Sequence, residues 1–166
     1  MRLSTKGRYA VMAMADLAGH SVPFEPHQQP KPVALADIAE RQDISLSYLE
    51  QLFAKLRRGG LVTSVRGPGG GYRLAGPAET ISVGAVVQAV DEPLHATRCD
   101  AASDVGCMAQ GERCATHHRW AALGDEIEHF LGAVSLADVI GRRIPRRSKG
   151  SASALPSTSA HAEATA

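Results

Sequence analysis

The residues most able to do chemistry lie in one polar loop, which runs RCDAASDVGCMAQGERCATHHRW from Arg98 to Trp120. It contains all three cysteines of the chain, and two adjacent histidines follow the last of them. Cys99, Cys107 and Cys114 are separated by seven and then six residues. Three thiolates and one imidazole provide four ligands, the number that a [2Fe–2S] cluster needs. We therefore interpret the loop as a metal site.

The ligand spacing favours a cluster over a single metal ion. Structural zinc sites usually carry two closely spaced ligand pairs, whereas this loop has one, formed by Cys114 and a histidine just beyond it. Wide and uneven gaps suit a loop that folds around a larger object. A structural zinc and three unrelated buried thiols stay as alternatives, although buried thiols are expected at apolar helical positions. His95, Asp100 and Asp104 are weaker candidate ligands.

The whole chain excludes several classes of protein. Its 166 residues fit one domain, or one small domain with an appendage. The start looks superficially like a signal peptide, but Asp16 interrupts the short apolar run, whose spacing is that of an amphipathic helix. No stretch approaches the ~18 apolar residues of a membrane span. We expect a cytoplasmic protein with reduced thiols, and not an enzyme, because no motif places a base beside a nucleophile.

The first part of the chain predicts a helix-turn-helix. Residues 4–19 have the spacing of an amphipathic helix, and a second, short helix ends near Asp43. Ser45 and Ser47 are candidate N-caps of a third helix, and Ser47 with Glu50 matches a capping box. The inward face of this third helix is expected to carry Leu46, Leu49, Leu52, Phe53 and Leu56.

A β-hairpin is predicted after the third helix, which ends at Gly59 and Gly60. Residues 61–66 and 72–75 have the composition of two strands, and the turn GPGGG lies between them. The hairpin would form the wing of a winged helix, a fold that places a recognition helix in the major groove of DNA.

The outward face of the third helix is polar and basic. Gln51 can bond an adenine bidentately, and Glu50 can accept a hydrogen bond from cytosine N4. In the wing, Arg66 lies at the base of a turn narrow enough for a minor groove. A solvated helix face and a protein–protein module are the alternatives. The candidate DNA-binding residues are Lys6, Ser45, Ser47, Tyr48, Glu50, Gln51, Arg57, Arg66 and Gly67.

Two further helical segments follow the wing. A helix from about Ser82 turns four valines inward: Val83, Val86, Val87 and Val90. A long amphipathic helix carries Trp120, Leu123, Ile127, Phe130, Leu131 and Val134. We expect this helix to cross its twin in a dimer, and packing against the winged domain of the same chain is the alternative. Ser135 with Asp138 indicates one more capped turn.

The expected fold is mainly α-helical with a small β-hairpin wing. Residues 1–80 form the winged helix-turn-helix DNA-binding domain in this interpretation. Residues 81–144 hold the cluster-binding loop and the dimerisation helices. Residues 145–166 are too poor in large apolar groups to fold, and we expect a disordered tail.

Three segments resemble the IscR family, the bacterial iron–sulfur cluster regulators among the dimeric winged-helix transcription factors. They are RLSTKGRYAVMAM, LADIAERQDISLSYLEQLFAKLRRGGLVTSVRGPGGGYRL and the cysteine loop closing on CATHHRW. The resemblance covers roughly residues 1–140 and implies a homodimer that binds promoter operators in double-stranded DNA. It also implies control of cluster-assembly genes, often including the regulator's own operon, with cluster-donor proteins of the assembly machinery as partners.

The resemblance further implies a [2Fe–2S] cluster on Cys99, Cys107, Cys114 and His117. The neighbouring His118 is the rival fourth ligand, and the loop is three residues longer than the family pattern. Relatives that sense nitric oxide can draw a ligand from an acid in the first helix. The nearest acid here is Asp16, on the later turns of that helix, which favours the cluster regulators.

Overall fold

A computed structural model describes residues 5–21, 30–90, 106–108 and 110–143. Within these parts it is mainly helical, with one two-stranded antiparallel hairpin, which confirms the expected fold class. The elements in chain order are α1 (Thr5–His20), α2 (Leu35–Gln42), α3 (Leu46–Arg58), β1 (Val62–Val65), β2 (Gly71–Leu74), α4 (Val83–Ala89), α5 (His117–Ala133) and α6 (Leu136–Ile140). The predicted tail, residues 145–166, lies outside the described residues. No helix of the described part is long and apolar enough to cross a membrane.

The turn between α2 and α3 forms the expected helix-turn-helix. Asp43 caps the end of α2 in the left-handed region, with φ at 52°, as predicted from the break near that residue. Ser45 is the N-cap of α3, and its backbone carbonyl accepts hydrogen bonds from Tyr48 and Leu49. The predicted capping box of Ser47 with Glu50 is therefore wrong, because Ser47 already lies inside the first turn of the helix.

The core runs through one side of α3 and along α1. Leu49, Leu52, Phe53 and Leu56 are buried as predicted. Leu46 is not: 42% of its surface is exposed. It is the first residue of α3 and lies at the border of the apolar face, about 60° around the helix axis from Leu49 at roughly 100° per residue. The same cluster includes apolar residues from α1, α4 and α6.

The wing is held against the segment that precedes α2. Its strands pair in the register Val62↔Leu74 to Val65↔Gly71. Val33 and Tyr72 exchange two backbone hydrogen bonds of 2.9 and 2.8 Å. A Cβ atom added to Gly71 would lie 2.2 Å from the carbonyl oxygen of Val33, so this close approach requires glycine.

An ion pair joins α1 to the helix-turn-helix. The carboxylate of Asp16 is almost fully buried and accepts hydrogen bonds from Arg41 Nε at 3.1 Å, Arg41 Nη2 at 2.6 Å and Gln42 Nε2 at 2.7 Å. Burial raises the pKa of Asp16, but the hydrogen bonds from Arg41 and Gln42 outweigh it and hold the pKa below its ordinary value. Asp16 therefore stays ionised and fixes α1 against α2.

The helix that begins at about Ser82 and the capped turn at Ser135 both occur where the sequence predicts them. Ser82 is the N-cap of α4 and accepts a hydrogen bond from the backbone of Ala85 at 3.1 Å. Ser135 and Asp138 form a complete capping box at the start of α6. Ser82 and Ser135 also form an antiparallel bridge, so the residue before α4 and the residue before α6 lie side by side.

Candidate nucleic-acid interface and metal centre

The exposed face of α3 presents three of the predicted DNA-binding residues together. Ser47, Glu50 and Gln51 are all exposed. At roughly 100° per residue, they lie within an arc of about 100° opposite the buried face. The arc is wide enough to offer hydroxyl, carboxylate and amide groups to one surface, as base-edge recognition requires.

The two borders of this face are fixed by neighbouring elements. On one side, the half-buried ring of Tyr48 packs edge-on against Tyr9 of α1, with ring centroids 6.0 Å apart. Lys6 lies one turn before Tyr9 and is partly buried. On the other side, Arg57 Nη1 donates a weak hydrogen bond of 3.4 Å to Ser64 Oγ of β1. The α1 helix and the wing therefore flank α3 on its two sides.

The tip of the wing is a tight turn that exposes Arg66 and Gly67. Gly67 and Gly69 have φ values of 100° and 72°, which favour glycine. The backbone N–H of Gly70 donates to the carbonyl of Gly67 at 2.9 Å. A Cβ atom on Gly70 would lie 2.4 Å from the carbonyl oxygen of Val65. The tip is thus a narrow, glycine-dependent loop that carries one exposed guanidinium.

Part of the cysteine loop is described, and it brings a thiol beside an imidazole. Cys107 Sγ lies 3.7 Å from His117 Nδ1, and the backbone N–H of Cys114 donates to Cys107 Sγ at 3.1 Å. The backbone N–H of His117 donates to the carbonyl of Cys114 at 2.9 Å. Cys99 and the weaker candidates His95, Asp100 and Asp104 lie outside the described residues.

The two adjacent histidines differ in their surroundings. His117 is the first residue of α5 and is only 4% exposed, whereas His118 is exposed. The His117 ring faces Cys107. The rings of His117 and His118 pack edge to face, with their centroids 5.5 Å apart. Burial and thiol contact favour His117 over His118 as a ligand.

The Cys114 thiol has the character of a ligand. The Thr116 hydroxyl, 3.5 Å from Cys114 Sγ, and then the thiol of Cys107 lower its pKa below the ordinary value. A readily ionised thiol suits metal binding, because the thiolate is the form that binds. Among the described residues, however, no group of three Cys, His, Asp or Glu side chains converges closely enough to hold a metal ion. The chemistry of the predicted donors fits an iron–sulfur cluster, and Cys99, the remaining predicted ligand, lies outside the described residues.

Two features of the structure were not predicted from the sequence, namely the ion-pair partner of Asp16 and the exposure of Leu46. Asp16 lies on the buried face of α1, one residue before Leu17, and that placement was a signal that it would need a cationic partner. Nothing in the sequence pointed to Arg41, 25 residues away, as that partner. The exposure of Leu46 was also missed, because a helical period does not resolve residues at the border of the apolar face.

The chain belongs to the Rrf2 family, described as iron-dependent transcriptional regulators, whose family model matches residues 3–142. It is a DNA-binding transcriptional regulator related to iron–sulfur control, and not an enzyme. It is 54% identical over 143 residues to the HTH-type transcriptional regulator IscR of Yersinia enterocolitica, covering 86% of this chain and 81% of that protein. This confirms the resemblance to IscR.

Two solved structures resemble the fold over most of the chain. The IscR of T. potens is 37% identical with a TM-score of 0.66, covering 86% of this chain and 88% of that one. CymR, the global cysteine regulator of B. subtilis, is 29% identical with a TM-score of 0.68, covering 86% and 98%. These neighbours support the winged-helix assignment.

Proposed function

We propose that this regulator is a cytoplasmic homodimer whose DNA affinity or specificity is set by a [2Fe–2S] cluster on Cys99, Cys107, Cys114 and His117. The observation that carries the proposal is the contact between Cys107 Sγ and the buried His117 Nδ1 at the start of α5. The family's description as iron-dependent favours iron over a structural zinc. Its targets would include the operon of its own cluster-assembly genes, whose donor proteins would load it.

In this proposal the α3 helix enters the major groove and the wing enters the minor groove. Glu50 and Gln51 read base edges, while Lys6, Ser45, Ser47, Tyr48 and Arg57 contact the phosphate backbone or position the helix. Arg66 and Gly67 are at the narrow tip that reaches the minor groove. Phosphate contacts of this kind position the protein, and the base contacts provide its sequence preference.

The dimer is proposed to form through α5. Trp120, Leu123 and Phe130 are large apolar residues of α5 that are 42–51% exposed in the single chain. A twin helix that covers this face would bury them. The same pairing would set the α3 helices of the two protomers about one helical turn of DNA apart, so that each helix reads one half-site.

A path of packed helices links the cysteine loop to α3. His117 begins α5, and α5 contacts α4, where Gln88 Nε2 donates to Glu128 Oε1 at 2.8 Å. The α4 helix in turn packs on the end of α3, so closely that a Cβ on Gly59 would lie 3.0 Å from Ala89 Cβ. A cluster held by the proposed ligands would tie the cysteine loop to the start of α5, and this restraint would be lost when cluster supply falls. Residues along this path would then bias the pose of α3, which is allostery only if the two forms differ in DNA affinity.

Anaerobic purification tests the cluster most directly. We expect a coloured protein with visible charge-transfer bands, with iron and sulfide found by analysis. The His117→Ala variant should lose these bands, and the matched His118→Ala variant should keep them, because His118 is exposed. A colourless protein that contains zinc, or bands that depend on His118, would contradict the ligand assignment.

A gel-shift experiment tests the coupling to DNA. Cluster-loaded and cluster-free protein are titrated separately against the DNA upstream of the chain's own gene. The proposal expects different affinities or a different set of bound sites for the two forms. Equal binding by both forms would leave a DNA-binding regulator that does not sense the cluster.

The Glu50→Ala variant tests base reading. A carboxylate among phosphates is unfavourable unless it finds a donor, so Glu50 can reject sites that lack a suitably placed cytosine. Selection from a randomised operator library should therefore yield a broader set of sites for Glu50→Ala. An unchanged set of sites would show that Glu50 does not read a base.

A further inference from the structure

Leu46 is a large apolar residue on the surface of the helix proposed to enter DNA. It is 42% exposed and is not part of the core cluster, whereas the other large apolar residues of α3 are buried. Exposed leucines are common on protein surfaces and need no explanation by themselves. Its position is what matters, because Leu46 is the first residue of α3 and the N-terminal residues of a recognition helix reach the base edges.

The geometry of α3 places Leu46 at one border of the exposed arc. It lies about 40° around the helix axis from Glu50 and about 100° from Ser47. It is on the same side as Arg57, which reaches Ser64 of the wing. Helical side chains lean toward the N-terminus, so the Leu46 side chain projects toward the groove-facing end of the helix.

A major groove offers one apolar group at its base edges, the 5-methyl group of thymine. A half-exposed leucine beside Glu50 and Ser47 makes no hydrogen bond with a base, but it can bury that methyl group. The neighbours at this end of the helix provide polar readout, and Leu46 provides an apolar surface among them.

We infer that Leu46 is a specificity-determining residue that packs against the 5-methyl group of a thymine in each half-site. The inference rests on the proposed placement of α3 in the major groove. Because Leu46 and Glu50 are one turn apart, roughly 6 Å along the helix, the thymine should lie within about two base pairs of the position that Glu50 reads.

Deoxyuridine substitution isolates this contact, because it removes the thymine methyl group and leaves the hydrogen-bonding edge unchanged. Anaerobically purified full-length protein is titrated against operators in which thymines are replaced one at a time. At one thymine in each half-site, deoxyuridine should weaken binding about fourfold, which is the ~0.8 kcal/mol of one buried methyl converted at 1.4 kcal/mol per tenfold. Replacement in both half-sites should weaken binding about sixteenfold if the two are independent.

The Leu46→Ala variant should bind thymine and deoxyuridine equally at that position, and the matched Ser47→Ala variant should retain the fourfold difference. Each comparison is a ratio within one variant, so a change in overall stability does not affect it. Persistence of the ratio in Leu46→Ala, or no sensitive thymine near α3, overturns the inference while leaving the proposed function intact. Failure of the unmodified protein to bind any operator would instead overturn the placement of α3 and the inference together.

Discussion

The ion pair between Asp16 and Arg41 predicts an unequal response to removal of its two partners. The Asp16 side chain is 2% exposed, whereas the Arg41 side chain is 33% exposed. The Arg41→Met variant leaves a buried carboxylate with Gln42 Nε2 at 2.7 Å and His20 Nδ1 at 3.4 Å as its remaining partners. The Asp16→Asn variant leaves a guanidinium that water can reach. Removal of Arg41 should therefore destabilise the protein more than removal of the Asp16 charge.

The magnitude follows from burial. Breaking a buried pair by removing one partner costs about 3–5 kcal/mol, and the partial exposure of Arg41 places Arg41→Met near the lower end, at about 3 kcal/mol. The Asp16→Asn variant should lose roughly 1–2 kcal/mol of stability, because Arg41 and Gln42 lose a charged acceptor. The loss is limited because the Arg41 side chain is 33% exposed, so water can accept hydrogen bonds from its guanidinium. The double variant should cost less than the sum of the two single changes, since the partners interact directly.

The pH dependence has a definite sign. In the unmodified protein the pKa of Asp16 lies below its ordinary value of 3.8. The stability contributed by this carboxylate is thus complete above pH 3.8 and is lost as the pH falls through the lower, folded-state pKa. In Arg41→Met, burial is the remaining dominant influence and should raise the pKa of Asp16, so protonation relieves the cost of burial. The difference in stability between the two proteins should shrink on acidification.

Urea unfolding followed by circular dichroism measures these effects. All variants are compared in the cluster-free, reduced form at one protein concentration, because dimerisation makes stability concentration-dependent. The Arg58→Met variant removes an exposed guanidinium and should change stability by less than about 0.5 kcal/mol. A loss for Asp16→Asn equal to or greater than that for Arg41→Met would refute the reasoning. An Arg41→Met penalty that stays constant as the pH is lowered from 7 to the ordinary aspartate pKa of 3.8 would also refute it.

Three shorter predictions follow from other parts of the structure. The Gly71→Ala variant should lose about 1–3 kcal/mol in urea unfolding, because its Cβ would strike a carbonyl oxygen 2.2 Å away, whereas Gly19→Ala, with open space around it, should not lose stability. The Ser135→Ala variant should lose about 1 kcal/mol with the capping box of α6, and an unchanged urea midpoint would argue against that role. Under the proposed ligand set, His117→Cys adds a thiolate to the cluster and should lower its midpoint potential in anaerobic redox titration; an unchanged potential would count against His117 as a ligand.

Local patterns were sufficient to predict most of the fold. The valines of α4 are buried as their spacing predicts, because a short helix with one apolar face has few ways to pack. The capping box at Ser135 was predictable because the interacting residues are three positions apart. The same kind of pattern misled at Ser47, because the helix is already capped two residues earlier by Ser45, whose backbone carbonyl accepts hydrogen bonds from Tyr48 and Leu49.

Features that depend on distant residues could not be predicted in the same way. The partner of Asp16 lies on another helix, and only the packing of α1 against α2 brings Arg41 to it. The difference between His117 and His118 is likewise a matter of burial, which two adjacent identical residues cannot reveal. The sequence predicts a histidine ligand, and the structure shows that the two candidate histidines differ in burial.

The antiparallel bridge between Ser82 and Ser135 fixes the two ends of the segment 83–134 next to each other. Val83 N donates to the Val134 carbonyl at 2.8 Å, and Leu136 N donates to the Ile81 carbonyl at 2.9 Å, so entry and exit are pinned side by side. Between α4 and α5 the chain has 27 residues, 90–116. Three additional residues in such a connection cost only about 0.1 kcal/mol of closure entropy. The paired ends can therefore hold loops of different length at little cost in closure entropy, so cysteine spacing can vary while Ser82 and Ser135 stay paired.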